Sequence, residues 1–298
     1  MKKKPIIGIV GAGKWGKNLI REFDKISTIS TCVITKNSKN KKWLEENYPH
    51  IKITAQHKDI ISDQNVKTIV IATPIKTHFK LAKEALLAGK HVFVEKPLTT
   101  KSHEAQELID IAEEKKRIIF VGYVFLHHPI FKRMQDILKK ERLQYMECNW
   151  KNLAKSFHED IYLNLLSHEI AIVLKLFGNI KNVQIGHTQK AVSKKDIIHI
   201  KASVNGNKTN CTFHIDRISN KKEKWITFIT NKNIYIWDDY SLHKLNKKQN
   251  SFTEIYTAKK TSLEIECAEF IKSIETNVRP LTDGNLGLSV QKIIEKLQ

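Results

Sequence analysis

Cysteine is scarce and scattered: Cys32, Cys148, Cys211 and Cys267 stand far apart with no CxxC pair. That spacing supports neither a zinc site nor a disulfide framework, and a reducing cytoplasm is the expected compartment. Long apolar runs are also missing. The longest, such as 118–126, are strand-sized and well short of the roughly 18–20 residues that a membrane span needs, so no span is expected. Met1-Lys2-Lys3-Lys4-Pro5 carries the charge of a signal peptide, but the apolar stretch after it is broken by Gly11, Gly13 and Gly16 with Lys14 and Lys17 between, and no leader is expected. No stretch rich in Pro, Gly or Ser reads as a linker, and no internal repeat is visible. Arginine is rare as well, at six of the 51 basic residues. The net charge of +20 comes from lysines spread along the whole chain. Without a basic block or the bidentate guanidinium that reads phosphate and guanine, nucleic acid is not the expected partner. An anionic small substrate suits the same positive field.

What is present is a globular composition, 41% hydrophobic and 28% charged over 298 residues, enough for one or two domains. The first 120 residues alternate strand-like runs at 6–10, 30–35, 68–72, 91–95 and 118–122 with helix-like segments at 15–25, 41–48, 77–88 and 102–116. Such βα alternation predicts a doubly wound parallel sheet. Beyond Gly122 the rhythm changes: helices at 129–140 and 163–177 are expected among strands at 143–150, 183–188, 197–204, 211–215, 225–230 and 234–237, with closing helices at 263–276 and 284–297. The expected fold class is therefore α/β, an N-terminal Rossmann domain over 1–122 followed by an α+β domain over 123–298 with an open mixed or antiparallel sheet.

Gly11-Ala12-Gly13-Lys14-Trp15-Gly16 is a GxGxxG turn lying between the first strand and the first helix. One glycine makes the turn, one admits a pyrophosphate and one lets helix and strand approach, so a dinucleotide cofactor is expected. The second strand ends in Thr35-Lys36-Asn37 rather than in an acid that would hold a ribose 2′-hydroxyl. The missing acid and Lys36 favour NADP(H), while Thr35 or Asn37 leaves NAD(H) open.

Further segments carry a family resemblance. Ala72-Thr73-Pro74 with His78, the stretch Ala88-Gly89-Lys90-His91-Val92-Phe93-Val94-Glu95-Lys96-Pro97, the strand end Val121-Gly122-Tyr123 and the tail Pro280-Leu281-Thr282-Asp283-Gly284-Asn285-Leu286-Gly287-Leu288 resemble the Gfo/Idh/MocA oxidoreductases. The resemblance implies that Lys96, of the Glu-Lys-Pro motif, handles the substrate's hydroxyl proton, that Glu95 meets the nicotinamide ribose, and that Thr73, Pro74 and His78 line the cofactor cleft. It also implies a catalytic histidine preceded four residues earlier by an aspartate. Here His168 matches the histidine, and Asn164 replaces the aspartate. An amide hydrogen-bonds a hydroxyl but accepts no proton, so either Asp160, one turn earlier, serves instead, or Lys96 and His168 act alone, or turnover is lost. Asn164, Tyr123 and Asp160 are thus the expected substrate-binding residues.

The whole pattern is similar to family members acting on nucleotide sugars in surface-polysaccharide biosynthesis. The resemblance leaves room for an inositol or simple aldose substrate, and for a non-catalytic dinucleotide-binding sensor. The substrate is expected between the cofactor and the second domain's sheet. His168-Glu169 lacks the second histidine of HExxH, and His127-His128-Pro129 reads as a loop, so no metal is expected. Trp225, Phe228, Tyr235 and Trp237 read as sheet core or interface, and the open sheet predicts a homodimer or homotetramer.

Overall fold

The computed structural model describes residues 4–35, 37–153, 160–178, 180–190, 192, 195–204 and 209–298. The chain divides into two compact units, residues 1–124 with 263–291, and residues 125–262 with 292–298.

The first unit runs β1 (Ile6–Val10), α1 (Lys14–Ile26), β2 (Thr28–Val33), α2 (Ser38–Asn47), β3 (Lys52–Thr54), α3 (His57–Ser62), β4 (Thr68–Ile71), α4 (His78–Leu87), β5 (His91–Glu95), α5 (Ser102–Glu114) and β6 (Ile119–Gly122). Its strands pair in parallel in the order β3-β2-β1-β4-β5-β6. The order reverses between β1 and β4, the switch point at which doubly wound sheets bind ligands. Strands covered on both faces read as continuous apolar runs, and Thr68–Ile71 and Val92–Val94 are buried throughout. On α1, Gly16, Leu19, Ile20 and Phe23 are buried, the three-and-four spacing of a single helix face.

The second unit runs α6 (Pro129–Leu138), β7 (Leu143–Lys151), a π turn (Tyr162–Leu166), α7 (Ser167–Phe177), β8 (Ile180–Gln189), β9 (Ile197–Val204), β10 (Thr209–Asp216), β11 (Glu223–Thr230), β12 (Ile234–Asp238), β13 (Ser241–Asn246) and β14 (Ser251–Thr257). Its sheet has the order β14-β13-β12-β11-β7-β10-β9-β8. Only the β7/β10 pair is parallel among the described residues. Ile198, Ile200, Ala202 and Val204 are buried at every second position of β9, the signature of a sheet covered on one face. Among the described residues no helix is long and apolar enough to cross a membrane.

The chain then ends in α8 (Ser262–Thr276) and α9 (Gly284–Leu297). Residues 263–291 pack with the first unit. Phe270 of α8 meets Phe93 at 5.4 Å, Phe120 at 5.3 Å and Phe23 at 6.1 Å between ring centroids. The Val121 amide donates to the Thr282 carbonyl at 2.7 Å. Phe270→Ala is expected to cost about 3–5 kcal/mol, read as a lowered midpoint in chemical denaturation.

Several stretches differ from expectation. β2 ends at Val33, so Thr35 and Asn37 follow the strand, and Asn37 caps α2 by accepting the Asn40 amide at 3.0 Å. β3 with α3, and β13 with β14, were not anticipated: the first pair is three and six residues long, too short to show a period. β14 is exposed along most of its length and carries little apolar signal. The helix expected from 163 opens as a π turn.

Candidate active site

The glycine turn sits at the switch point. Gly11 takes φ 103°, and a Cβ there would lie 2.5 Å from the Ala72 carbonyl oxygen. A Cβ on Gly16 would lie 2.2 Å from the Gly11 carbonyl oxygen. Both positions need glycine for the protein's own packing. Gly13 differs: a Cβ there would meet nothing within 4 Å, so its bare backbone leaves space above the start of α1. Gly13 offers α1 no side-chain cap and the first turn holds no acid, leaving early amide groups and the positive helix end for an anion. This cradle fits a dinucleotide's pyrophosphate, with Gly11, Gly13, Lys14 and Trp15 around it. Gly13→Val is expected to raise the dinucleotide Kd more than tenfold, about 1.4 kcal/mol, with Tm unchanged. Gly16→Ala should lower Tm. Fluorescence titration with thermal melts separates the two effects.

The loops after β4 and β5 are tied together by His78. Its buried ring lies with Nδ1 2.8 Å from the Pro97 carbonyl oxygen and Nε2 2.9 Å from that of Thr73. Burial lowers its pKa while the two carbonyls oppose that shift. His78 therefore acts as a strut beneath Thr73-Pro74 and Lys96-Pro97. Thr73 and Thr77 hydroxyls meet at 2.7 Å.

Glu95 ends β5, buried, with its carboxyl held over Gly122, whose added Cβ would touch it at 3.2 Å. Burial raises its pKa from 4.5 to about 8, against the pull of the Lys96 charge and a hydrogen bond from Trp15. Burial pushes the pKa of Glu266 on α8 well up, and repulsion from the Glu95 carboxyl adds to it. A raised carboxyl pKa means that the folded state binds the proton more tightly, so this contribution to stability is complete below about pH 4.5 and is lost as pH rises through about 8. Glu95→Gln is expected to flatten the fall in unfolding free energy over that window. Lys96 is half-buried, and its charge acts on both Glu95 and His78. Tyr123, after β6, is buried. Thr35 is exposed; Lys36 lies outside the described residues.

In the second unit, His168 lies in the first turn of α7, 7% exposed. Phe125 meets its ring edge-on at 5.0 Å and Trp150 at 5.7 Å. Those two rings also hold Lys224, whose Nζ lies 3.2 Å from the Phe125 centroid and 3.9 Å from that of Trp150. Lys224 of β11 is registered opposite Trp150 of β7, which sets the stack. Its counter-ion is Glu169, at 2.9 Å with side-chain exposures of 16% and 1%. Burial lowers the Lys224 pKa and Glu169 opposes this. Glu169 therefore serves Lys224. Asp160 caps the π turn, its Oδ1 accepting the Tyr162 and Leu163 amides at 2.8 and 3.1 Å, so this oxygen is engaged. Asn164 is half-buried within the π turn. The aromatic and cationic surroundings of His168 were not legible as a motif, because they come from three separate segments.

A parallel sheet in this strand order with a glycine cradle at its switch point defines a dinucleotide-binding Rossmann unit. Residues 6–123 match the family model described as the oxidoreductase family with an NAD-binding Rossmann fold, Gfo/Idh/MocA. UDP-N-acetylglucosamine 3-dehydrogenase from Acidithiobacillus ferrooxidans is 30% identical over 120 residues, 38% of this chain and 36% of the relative. The matched stretch spans less than half the length of the first curated relatives. The solved structure of the same dehydrogenase superposes with TM-score 0.89 at 21% identity, covering 99% of this chain and 97% of that one. Biliverdin reductase from Synechocystis, solved with biliverdin and NADP+, gives TM-score 0.81 at 17% identity over 98% and 97%. These superpositions establish the shared fold.

Proposed function

We propose that the protein oxidises or reduces a ring carbon of a nucleotide sugar with NAD(P)(H), serving surface-polysaccharide biosynthesis. The observation that carries this reading is the cradle, closed at Gly11 and Gly16 and open at Gly13. The similarity to a UDP-N-acetylglucosamine 3-dehydrogenase supports the nucleotide-sugar class. Residues 1–122 form the dinucleotide-binding part and the second unit the substrate-binding and oligomerising part, in a homodimer or homotetramer that light scattering would reveal.

In this mechanism Lys96 and His168 hold and move the hydroxyl proton, while Tyr123, Asn164 and Asp160 position the substrate. The bound nicotinamide supplies the hydride acceptor or donor. Lys96 suits proton transfer because its amine can hold or release a proton at a substrate hydroxyl. The buried surroundings of His168 hold its imidazole in one orientation. Thr73, Pro74, His78, Glu95 and Thr35 shape the cofactor side, and Lys36 with the missing acid after β2 favours NADP(H).

The test is the reduced-nicotinamide absorbance of the purified protein, followed by a scan of UDP-sugars and inositols with NAD and NADP. Turnover of a nucleotide sugar with the lower KM for NADP supports the reading, and a clear NAD preference overturns the cofactor choice. Asn164 favours a second reading, a dinucleotide-bound sensor without turnover. Asn164→Asp should raise kcat if the missing carboxylate limits the reaction; cofactor binding with no turnover in either form supports the sensor.

A further inference from the structure

Within the second unit, behind the rings that wall His168, lies a cavity of about 120 Å³ bordered by Phe125, His128, Lys224, Trp237, Asp239 and Tyr240. One water needs about 10–15 Å³ of such space, and a complete ligand pocket occupies roughly 300–1,000 Å³. The cavity is thus the size of one ring. Its walls are aromatic: His128 lies 4.9 Å from Trp237 and 6.2 Å from Tyr240 between centroids. Tyr240 is 58% exposed at the rim. Beside it Asp239 takes φ 39°, a left-handed conformation in which aspartate is enriched among non-glycine residues.

His128 is the informative wall. It is 4% exposed, and its Nδ1 accepts the Ile130 amide at 3.1 Å as the N-cap of α6. That bond fixes the tautomer, so in the neutral ring the hydrogen sits on Nε2. Burial and the Lys224 charge hold the ring neutral, with its pKa lowered to about 4. The Nε2 group is buried and has no hydrogen-bond partner among the described residues. A buried donor without a partner costs about 1–3 kcal/mol, and a ligand acceptor would relieve that cost. The cavity also offers Lys224, an ammonium with donors beyond its contact to Glu169, and the acceptor-only carboxylate of Asp239.

We propose that this cavity is a subsite for a pyrimidine-dione base, uracil or thymine, of the nucleotide substrate; the proposal rests on the nucleotide-sugar reading. The edge of such a base presents acceptor, donor, acceptor, in O2, N3–H and O4. The residues around the cavity carry the complementary set, donors on His128 and Lys224 and an acceptor on Asp239. Cytosine carries a lone pair at N3, which would face the Asp239 carboxylate, and a purine adds a second ring to a one-ring space. Trp237 and Tyr240 supply the stacking faces.

Binding of UMP, dTMP, CMP and AMP, measured by calorimetry in saturating NADPH so that the glycine cradle is filled, tests this. UMP and dTMP are expected to bind at least tenfold more tightly than CMP or AMP, the value of about one well-formed hydrogen bond. His128→Asn keeps an N-cap acceptor and removes the Nε2 donor; it should weaken UMP about tenfold while NADPH affinity stays unchanged. Asp239→Asn should bring UMP and CMP affinities together. Equal affinity for UMP and CMP, no binding of either, or variants that leave UMP affinity unaltered would overturn the subsite. Turnover of a UDP-sugar undiminished in both variants would sink the subsite and leave the proposed reaction standing. Selective UMP binding without turnover of any nucleotide sugar would do the reverse.

Discussion

Under the proposed mechanism, replacing Lys96 with methionine is expected to lower kcat/KM by about 10²–10⁴-fold, the usual contribution of a positioned acid or base. Dinucleotide affinity should stay within a factor of a few. Methionine keeps an unbranched side chain at a half-buried position, so the change removes chiefly the amine. The ammonium also opposes the rise of Glu95's pKa, and without it that carboxyl should hold its proton to higher pH still. The pH profile of residual activity is thus expected to change along with its height. His168→Ala should cost a similar factor, and the double variant should fall well short of the product, as for groups sharing one proton transfer. Full activity in Lys96→Met would remove Lys96 from the mechanism.

Glu169→Ala is expected to destabilise the protein by about 3–5 kcal/mol, the cost of leaving one partner of a buried ion pair unpaired. The remaining ammonium would sit between the Phe125 and Trp150 rings. Ring faces attract a cation by about 0.5–2 kcal/mol, too little to replace a carboxylate. Lys224→Met in the same chain should recover much of the loss, because it removes the unpaired buried charge. Urea denaturation of the single and double variants measures this directly. Additive losses would mean that the two side chains are not coupled.

Much of the first unit was legible because its signals are local. A five-residue apolar strand such as β5, or a glycine turn between strand and helix, announces itself within a few residues, and the expected bounds of β5 and β9 coincide with the observed ones. The motifs around Lys96 and His168 were equally local. What escaped was set by partners distant in the chain. Nothing around Lys224 distinguishes it among 45 lysines; its burial follows from cross-strand register with Trp150. The return of α8 to the first unit depends on Phe270 finding three phenylalanines far earlier in the chain, a match that no period reveals. His128 read as a loop residue until its cap bond fixed the ring.

The re-entrant 263–291 segment also sets an order of events during synthesis. When residue 124 leaves the ribosome, the six parallel strands all exist, yet the place that Phe270 fills against Phe93 and Phe120 is still open. The segment that fills it emerges about 170 residues later, roughly 10–30 s at ordinary translation rates of about 5–20 residues per second. For that interval the nascent Rossmann sheet carries an unsealed aromatic face, and the 125–262 insert is made and free to collapse first. The first unit is thus completed only after the 125–262 insert has been made, and chaperone capture during translation should fall on it.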